Sequence, residues 1–307
     1  VATEATISAL RAGDDVRGTF ACVRKDRLKT RTGSPYLALE LRDRTGSLQA
    51  RAFKDADVLS GRFERGDLVS VVGRVERFRE DLVVEVSDIR QAQSGGGEEE
   101  TISPQRFLPV AYRDMDELDG FLEHLASEVY DTGYRALLDQ MLADDELRSA
   151  FRRTPCTRNG HHAYLGGLLE HTVAVATLAR EICDLHRRLN SDLLITAAIV
   201  HDIGRIKEFT YGAEIGLSEA GRLLGHIALG QQMLSERFAS LGASLDEPRR
   251  LALLHCVIAH HGPSSAPGGR FASPEALALY RCNALDATVK GALEHGLGGT
   301  REEEAGR

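Results

Sequence analysis

Two periodicities divide the chain. Between Arg17 and Gln93 the apolar residues come in short runs: "GTFACVRK", "PYLALELRD", "LQARAFK", "DLVSVVGRVERF" and "LVVEVSDI". Several of these alternate apolar and polar positions, the mark of a half-buried strand, so five strands are predicted. "RDRTGS" and "RFRED" read as turns, with Gly46 supplying backbone freedom in the first. "DVLSGRFERGD" is long enough to hold a short helix.

Further on, the period becomes helical. Residues 114–131 start on Asp114 as a cap and carry Leu118, Phe121, Leu122, Leu125 and Val129 at helical spacing. Residues 163–186 repeat Leu165, Leu168, Leu169, Thr172, Val175, Ala176, Ala179, Ile182 and Cys183 in the same way. Further helical stretches are 191–203, 218–241, 247–260 and 273–294. "SGGGEEE", residues 94–100, reads as a flexible charged linker, and "GGTREEEAGR" as a frayed end. The expected organisation is a multidomain α+β chain. A five-stranded OB-type β-barrel spans 1–93, with a helix between its third and fourth strands. A linker covers 94–105, an all-helical domain 106–295, and a disordered tail 296–307.

Composition places the chain among ordinary globular proteins, with 42% hydrophobic and 27% charged residues in a length of 307. The longest apolar run is about eight residues, too short to cross a bilayer. No charged-then-apolar leader opens the chain. The five cysteines are scattered and form no C-x-x-C pair, so a reduced cytosol is expected rather than a disulfide framework or thiolate zinc site. A net charge of −8 argues at first against a nucleic-acid partner. Its distribution reverses that argument: residues 17–93 hold 16 Lys+Arg against 12 Asp+Glu, net +4, and the rest holds 22 against 34, net −12. Such asymmetry points to two domains with different tasks.

Most of the eleven histidines lie beyond residue 160. His171 sits on the apolar side of its helix. His201 and Asp202 end the apolar run "LLITAAIVHDIG". His226 lies within "LLGHIALG", and His260 and His261 end "LALLHCVIAHH" before Gly262 and Pro263. Asp286 sits in "ALYRCNALDATV". A single histidine on an apolar face is more often a core residue with one hydrogen bond. A buried aspartate is different, because leaving it charged and unpaired costs several kcal/mol. One metal site would satisfy Asp202, Asp286 and the neutral imidazoles together. A donor set of imidazoles and carboxylates suits Mn²⁺, Fe²⁺, Co²⁺ or Zn²⁺ better than Ca²⁺. A carboxylate can also bridge two ions about 3.5–4 Å apart, the layout of two-metal phosphodiester hydrolases. Neither a convincing Ser/His/Asp or Cys/His arrangement nor a Walker-type phosphate loop is present.

The order His171, His201–Asp202, Asp286 resembles the HD phosphohydrolase superfamily. "HHAYLGGLLEHT", "HDIGRIKEFTY", "LLGHI", "AHHG" and "NALDA", behind an OB-like domain, resemble more closely the YhaM-type 3′→5′ exoribonucleases, over about residues 17–293. The resemblance implies that His171, His201, Asp202 and Asp286 hold one divalent ion. His226, His260 and His261 would hold a second, with Asp202 as the bridge. Mn²⁺ is the first expectation, with Fe²⁺, Co²⁺, Mg²⁺ and Zn²⁺ as alternatives. His201 and Asp202 would then be catalytic, with Arg205 and Lys207 either gripping a phosphate oxygen or forming a solvated helix end. His161 and His162 match the family's "HH" and would touch substrate or be core or surface histidines. The family often carries Lys where Arg205 stands and Asp where Asn283 stands.

The OB-like part is expected to bind a single strand through a basic groove and stacked aromatics. Arg24, Lys25, Arg27, Lys29 and Arg31 lie in "RKDRLKTR", expected as the loop between the first two strands. Phe20, Tyr36 and Phe53 are the stacking candidates; Phe in a small barrel is usually core, and Tyr36 tolerates water better. The expected partner is single-stranded RNA or DNA, without a membrane. Two rivals are an HD enzyme acting on a nucleotide or cyclic dinucleotide, and a non-catalytic nucleic-acid-binding protein.

Overall fold

The computed structural model describes residues 6–79, 81–92, 104–212 and 214–297. Most of the expected linker and tail, 94–103 and 298–307, lies outside the described residues. The chain packs as two compact units, one containing the strands of a barrel together with Thr210–Gly216, the other containing the helices.

The barrel strands are β1 (Asp15–Lys29), β2 (Pro35–Asp43), β3 (Gly46–Ala52), β4 (Leu68–Phe78) and β5 (Asp81–Gln91), with a short helix α1 (Ala56–Ser60) between β3 and β4. They close in the order β1-β2-β3-β5-β4. Alternation drives this: on β2, Leu37, Leu39 and Leu41 point inward and are at most 1% exposed, while the residues between them face out. Val16, Phe20, Val69, Val71, Val84 and Ile89 fill the same core. Phe20 is therefore core and not a stacking platform.

β1 is longer than its apolar pattern predicts. Its first half pairs with β4 and its second half with β2, across an irregularity between Cys22 and Arg24. Pairing with β2 continues to Lys29↔Pro35, so most of the basic run lies on a strand and not in a loop. The backbone ladder overrides the polar character of "KDRLK" there, because its side chains can reach water while the main chain stays paired.

The second unit contains α2 (Met115–Ser127), α3 (Thr132–Leu142), α4 (Asp145–Arg153), α5 (Gly167–Leu185), α6 (Ser191–Val200), α7 (Arg205–Glu208), α8 (Glu219–Leu241), α9 (Glu247–Ala259) and α10 (Pro274–His295). Two three-residue strands, β6 (Phe209–Tyr211) and β7 (Ile215–Leu217), pair between α7 and α8. Asp114, Asp131, Asp144, Asn190, Ser218, Asp246 and Ser273 cap helix N-termini through their side chains. α6 is buried on every side from Leu193 to Val200, which explains its unbroken apolar sequence. Among the described residues no helix is long and apolar enough to cross a membrane.

Candidate metal centre

The helix ends assemble the site. α6 stops at His201, whose Nδ1–H donates to the Ala198 carbonyl three residues back, at 2.8 Å. α9 stops at His260, whose Nδ1–H donates to the Val257 carbonyl in the same way, at 2.5 Å. Each bond satisfies a carbonyl left over at a helix end and turns Nε2, with its lone pair, into the interior. His226 follows Gly225, where φ of +68° breaks the helical path of α8 and lets the chain carry His226 inward.

Asp202 is the centre of the group. Its Oδ1 lies 3.3 Å from His226 Nε2 and 3.4 Å from His260 Nε2. His261 Nε2 lies 2.8 Å from His226 Nε2. On the other side His201 Nε2 lies 3.3 Å from His171 Nε2 and 3.7 Å from Asp202 Oδ2. Two donor sets result, His171–His201–Asp202 and Asp202–His226–His260–His261, each with ligand atoms within 4.8 Å of one another and both sharing Asp202.

Asp286 is not gathered into the first of these sets. Its Oδ2 accepts from His171 Nδ1 at 2.6 Å and from His162 Nε2 at 3.0 Å, and it clusters with those two histidines. Both ring nitrogens of His171 thus face oxygens, since Asn283 Oδ1 lies 2.9 Å from Nε2. His162 is 2% exposed and sits inside this network rather than on an open strand-facing surface. Its Nδ1 meets Tyr164 Oη at 2.9 Å, and that hydroxyl donates to Glu170 at 2.8 Å. His162 holds a left-handed φ of +50°, secured by a bond from Cys156 N–H to its carbonyl. His161 also faces inward, with Nε2 3.6 Å from Cys156 Sγ.

Two glycines let these elements meet. A Cβ on Gly204, in "HDIG", would collide with the His226 carbonyl. A Cβ on Gly167, in "GGLLEHT", would collide with the His162 carbonyl.

Burial controls the protonation of the group. It pushes His201 down to about 3 and His161 to about 3, and it also lowers His226 and His261, so these imidazoles are neutral at neutral pH. Burial alone would raise Asp202, but the Arg205 guanidinium beside it holds it well below the usual carboxylate range. Asp286 is likewise held low against burial by its bonds from His162 and His171. Burial and the nearby Asp202 push the Cys156 thiol well up.

Arg205 neither reaches for an open phosphate position nor lies in solvent. Its Nε donates to Asp202 Oδ2 at 3.2 Å and its Nη1 to Glu208 at 2.9 Å. Glu208 in turn accepts from the His226 backbone N–H at 3.2 Å. Lys207 is exposed and lines a surface hollow with Asp144, Glu146, Ile206 and Arg237. Cys156, Tyr164, Glu170 and Glu208 join the site without a motif that marks them; the charge of Glu170 inside the apolar run "GGLLEHTVAV" is the clearest signal the sequence carries of them.

The barrel carries its own candidates. Tyr36 and Phe53 stack at 5.3 Å between ring centroids with planes 26° apart, and Phe53 is 46% exposed. Beyond the sequence expectation, Arg51 lies over the exposed Phe78 ring at 4.2 Å. The basic run divides. Lys25 is committed to the barrel, its ammonium donating to the Ser60 and Phe63 carbonyls at 2.8 and 2.5 Å, and so is not a free cation for a strand. Arg24 pairs with Asp26 and Arg27 with Asp57. Lys29 and Arg31 are exposed and have no ion pair among the described residues.

Residues 168–288 match the HD domain and residues 19–92 the OB-fold nucleic acid binding domain. The chain is 28% identical over 260 residues to the 3′–5′ exoribonuclease YhaM of Bacillus velezensis, covering 84% of this chain and 80% of that one. It is 28% identical over 262 residues to YhaM of Bacillus subtilis and 26% over 265 residues to YhaM of Listeria innocua, with the same shares of each chain. The chain is thus an HD-domain hydrolase with an OB-fold domain ahead of its helices, a relative of the YhaM-type exoribonucleases.

Proposed function

We propose that this protein is a metal-dependent exonuclease that shortens single-stranded RNA, and also DNA, from the 3′ end. The observation that carries the metal is a pair of orphaned atoms. Asp202 Oδ1 and His260 Nε2 are buried and have no hydrogen-bond partner. Leaving both so costs several kcal/mol unless a cation sits among them. The spacing fits. Two imidazole nitrogens on one ion, with bonds of about 2.0–2.1 Å, stand about 2.8–3.4 Å apart between octahedral and tetrahedral angles. The pairs His171–His201 and His226–His261 stand at 3.3 and 2.8 Å.

His171, His201 and Asp202 would hold one ion, and Asp202, His226, His260 and His261 the other. Mn²⁺ is the ion we favour for a nitrogen and oxygen shell without thiolate. Bound there, two ions would lower the pKa of a water between them and offset the charge that builds on the phosphate. The chain's own work is positional. Ala198 and Val257 fix which nitrogen of His201 and His260 faces inward. Arg205 and Glu208 hold Asp202 and His226. Asp286 orients His171 and His162, a change from the ligand role expected of it, because its Oδ2 is already taken by both rings. The exposed Tyr36–Phe53 stack offers a platform for unpaired bases, with Lys29 and Arg31 as nearby phosphate partners in the chain. Five free, buried cysteines fit a reducing cytosol.

The test is a time course on single-stranded RNA labelled at its 3′ or its 5′ end, with Mn²⁺, comparing the wild type with Asp202→Ala. Stepwise shortening from the 3′ end by the wild type alone is expected. Absence of cleavage by both proteins overturns the reading in favour of a smaller phosphate ester.

A further inference from the structure

Beside the two donor sets and the Asp286 cluster lies a further group, of which the proposed function uses only His171. Cys156, His161 and His171 each offer a ligand atom, and the three atoms lie within 4.8 Å of one another. Cys156 is fully buried, and its thiol also points to Asp202 Oδ2 at 3.7 Å. We propose that Cys156, His161 and His171 form a binding site for a soft divalent ion of the zinc class, and that filling it inhibits the enzyme by taking His171 from the neighbouring set. The inhibitory half rests on the proposed function; the binding half does not.

The geometry supports the binding. A tetrahedral ion with a metal–sulfur bond of about 2.3 Å and a metal–nitrogen bond of about 2.05 Å holds those two ligand atoms about 3.6 Å apart. Cys156 Sγ and His161 Nε2 stand 3.6 Å apart, with both side chains drawn in from the segment that precedes α5. Chemistry sets the selectivity: a thiolate favours zinc or cadmium over manganese, whose preferred donors are oxygen and nitrogen. Binding displaces the thiol proton to solvent, and no redox change is involved. Among the described residues no other cysteine joins such a set, since Cys22, Cys183, Cys256 and Cys282 lie in apolar surroundings. The sharing of His171 makes the soft-ion site and the His171–His201–Asp202 set compete for one imidazole.

Metal-free protein is titrated with Cd²⁺ while the ultraviolet thiolate-to-cadmium charge-transfer band is followed, in the wild type, Cys156→Ala and the volume-preserving Cys156→Ser. A band saturating with one thiolate per chain in the wild type and missing from both variants is expected. A band that never forms, or that persists in either variant, overturns the site. In parallel, Zn²⁺ is titrated into Mn²⁺-supported RNA shortening. The zinc concentration for half-inhibition is expected to rise at least tenfold in Cys156→Ala. Equal inhibition of wild type and variant overturns the sharing of His171. If the protein cuts no RNA, the proposed function fails while the spectroscopic titration still decides the site.

Discussion

Asp202 Oδ1 and His260 Nε2 face each other at 3.4 Å inside the helical unit, and neither has a hydrogen-bond partner. A cation that binds the folded chain and not the unfolded one stabilises it by an amount that grows with concentration, about 2.7 kcal/mol at a hundredfold excess over Kd. Mn²⁺ is therefore expected to raise the Tm of the wild type. Asp202→Asn keeps the shape but removes the shared charge, and the shift should vanish while the strand-shortening rate falls by about 10²–10³-fold or more. Calorimetry with and without Mn²⁺ checks this; an undiminished shift in the variant would show that Asp202 holds no ion.

Arg205 spans Asp202 and Glu208, and Glu208 reaches the His226 backbone. A planar fork can hold two carboxylates at once, whereas an ammonium acts from a single point. Arg205→Lys keeps the charge but should leave one acid loosely held, lowering Mn²⁺ affinity by about 10–100-fold, as for other groups that orient metal ligands. A titration of Mn²⁺ followed by electron paramagnetic resonance reads this directly. A variant that binds Mn²⁺ normally but has a raised KM for RNA would instead place Arg205 on the substrate.

Gly204 lies against the His226 carbonyl and the Gly230 N–H. Overpacking such a contact typically costs about 1–3 kcal/mol. Gly204→Ala should lower the Tm and, by displacing α8, weaken Mn²⁺ binding as well. Gly120→Ala is the control, because a Cβ there meets nothing within 4 Å. Equal melting of the two variants would contradict this account of "HDIG".

How much of this could be read in advance depended on periodicity. The alternation of Leu37, Leu39 and Leu41 with outward residues announced β2, and the same signal placed the rest of the barrel. The pattern does not mark α4, because only Phe151 of its nine residues is buried and Leu147 is its one other large apolar side chain, the rest being charged or small. The second half of β1 carries a loop-like sequence, because its partner supplies hydrogen bonds that no side-chain pattern records. At the site, the histidines announced themselves by sitting in apolar helices. A buried carboxylate such as Asp286 needs a cation or donors, and sequence alone does not tell which it finds. Two imidazoles donate to it, and it stands with them in a group whose ligand atoms lie within 4.8 Å of one another. Cys156 carried no signal at all, since an isolated cysteine in a polar stretch reads as a small core residue.

The Tyr36–Phe53 stack is half exposed on the barrel, and its rings are already parallel to within 26°. Base–aromatic stacking contributes about 1–3 kcal/mol per base. Phe53→Ala should weaken binding of single-stranded RNA by that amount and raise KM on long strands. Cleavage of a dinucleotide, too short to need the platform, should be unchanged. Fluorescence anisotropy with a labelled oligonucleotide measures the first effect. Unaltered affinity for the long strand would remove the stack from the binding face.

Asp131 caps α3, accepting from the Gly133 and Tyr134 N–H groups at 2.9 and 3.1 Å and from Arg249 Nε at 2.8 Å. Partial burial alone would raise its pKa, but these donors outweigh it and bring the carboxyl below its ordinary value. The folded chain therefore holds the carboxylate more strongly than the unfolded chain, whose carboxyl titrates near about 3.9. The resulting stability is complete above that value and is lost as pH falls through the lower, folded one. Asp131→Asn keeps an acceptor for the cap but has no charge to protonate. The variant is expected to be less stable at neutral pH, with the difference from wild type shrinking as the solution is acidified below about pH 4. Urea melts at pH 7 and pH 3 test the sign, and a gap that widens in acid would refute it.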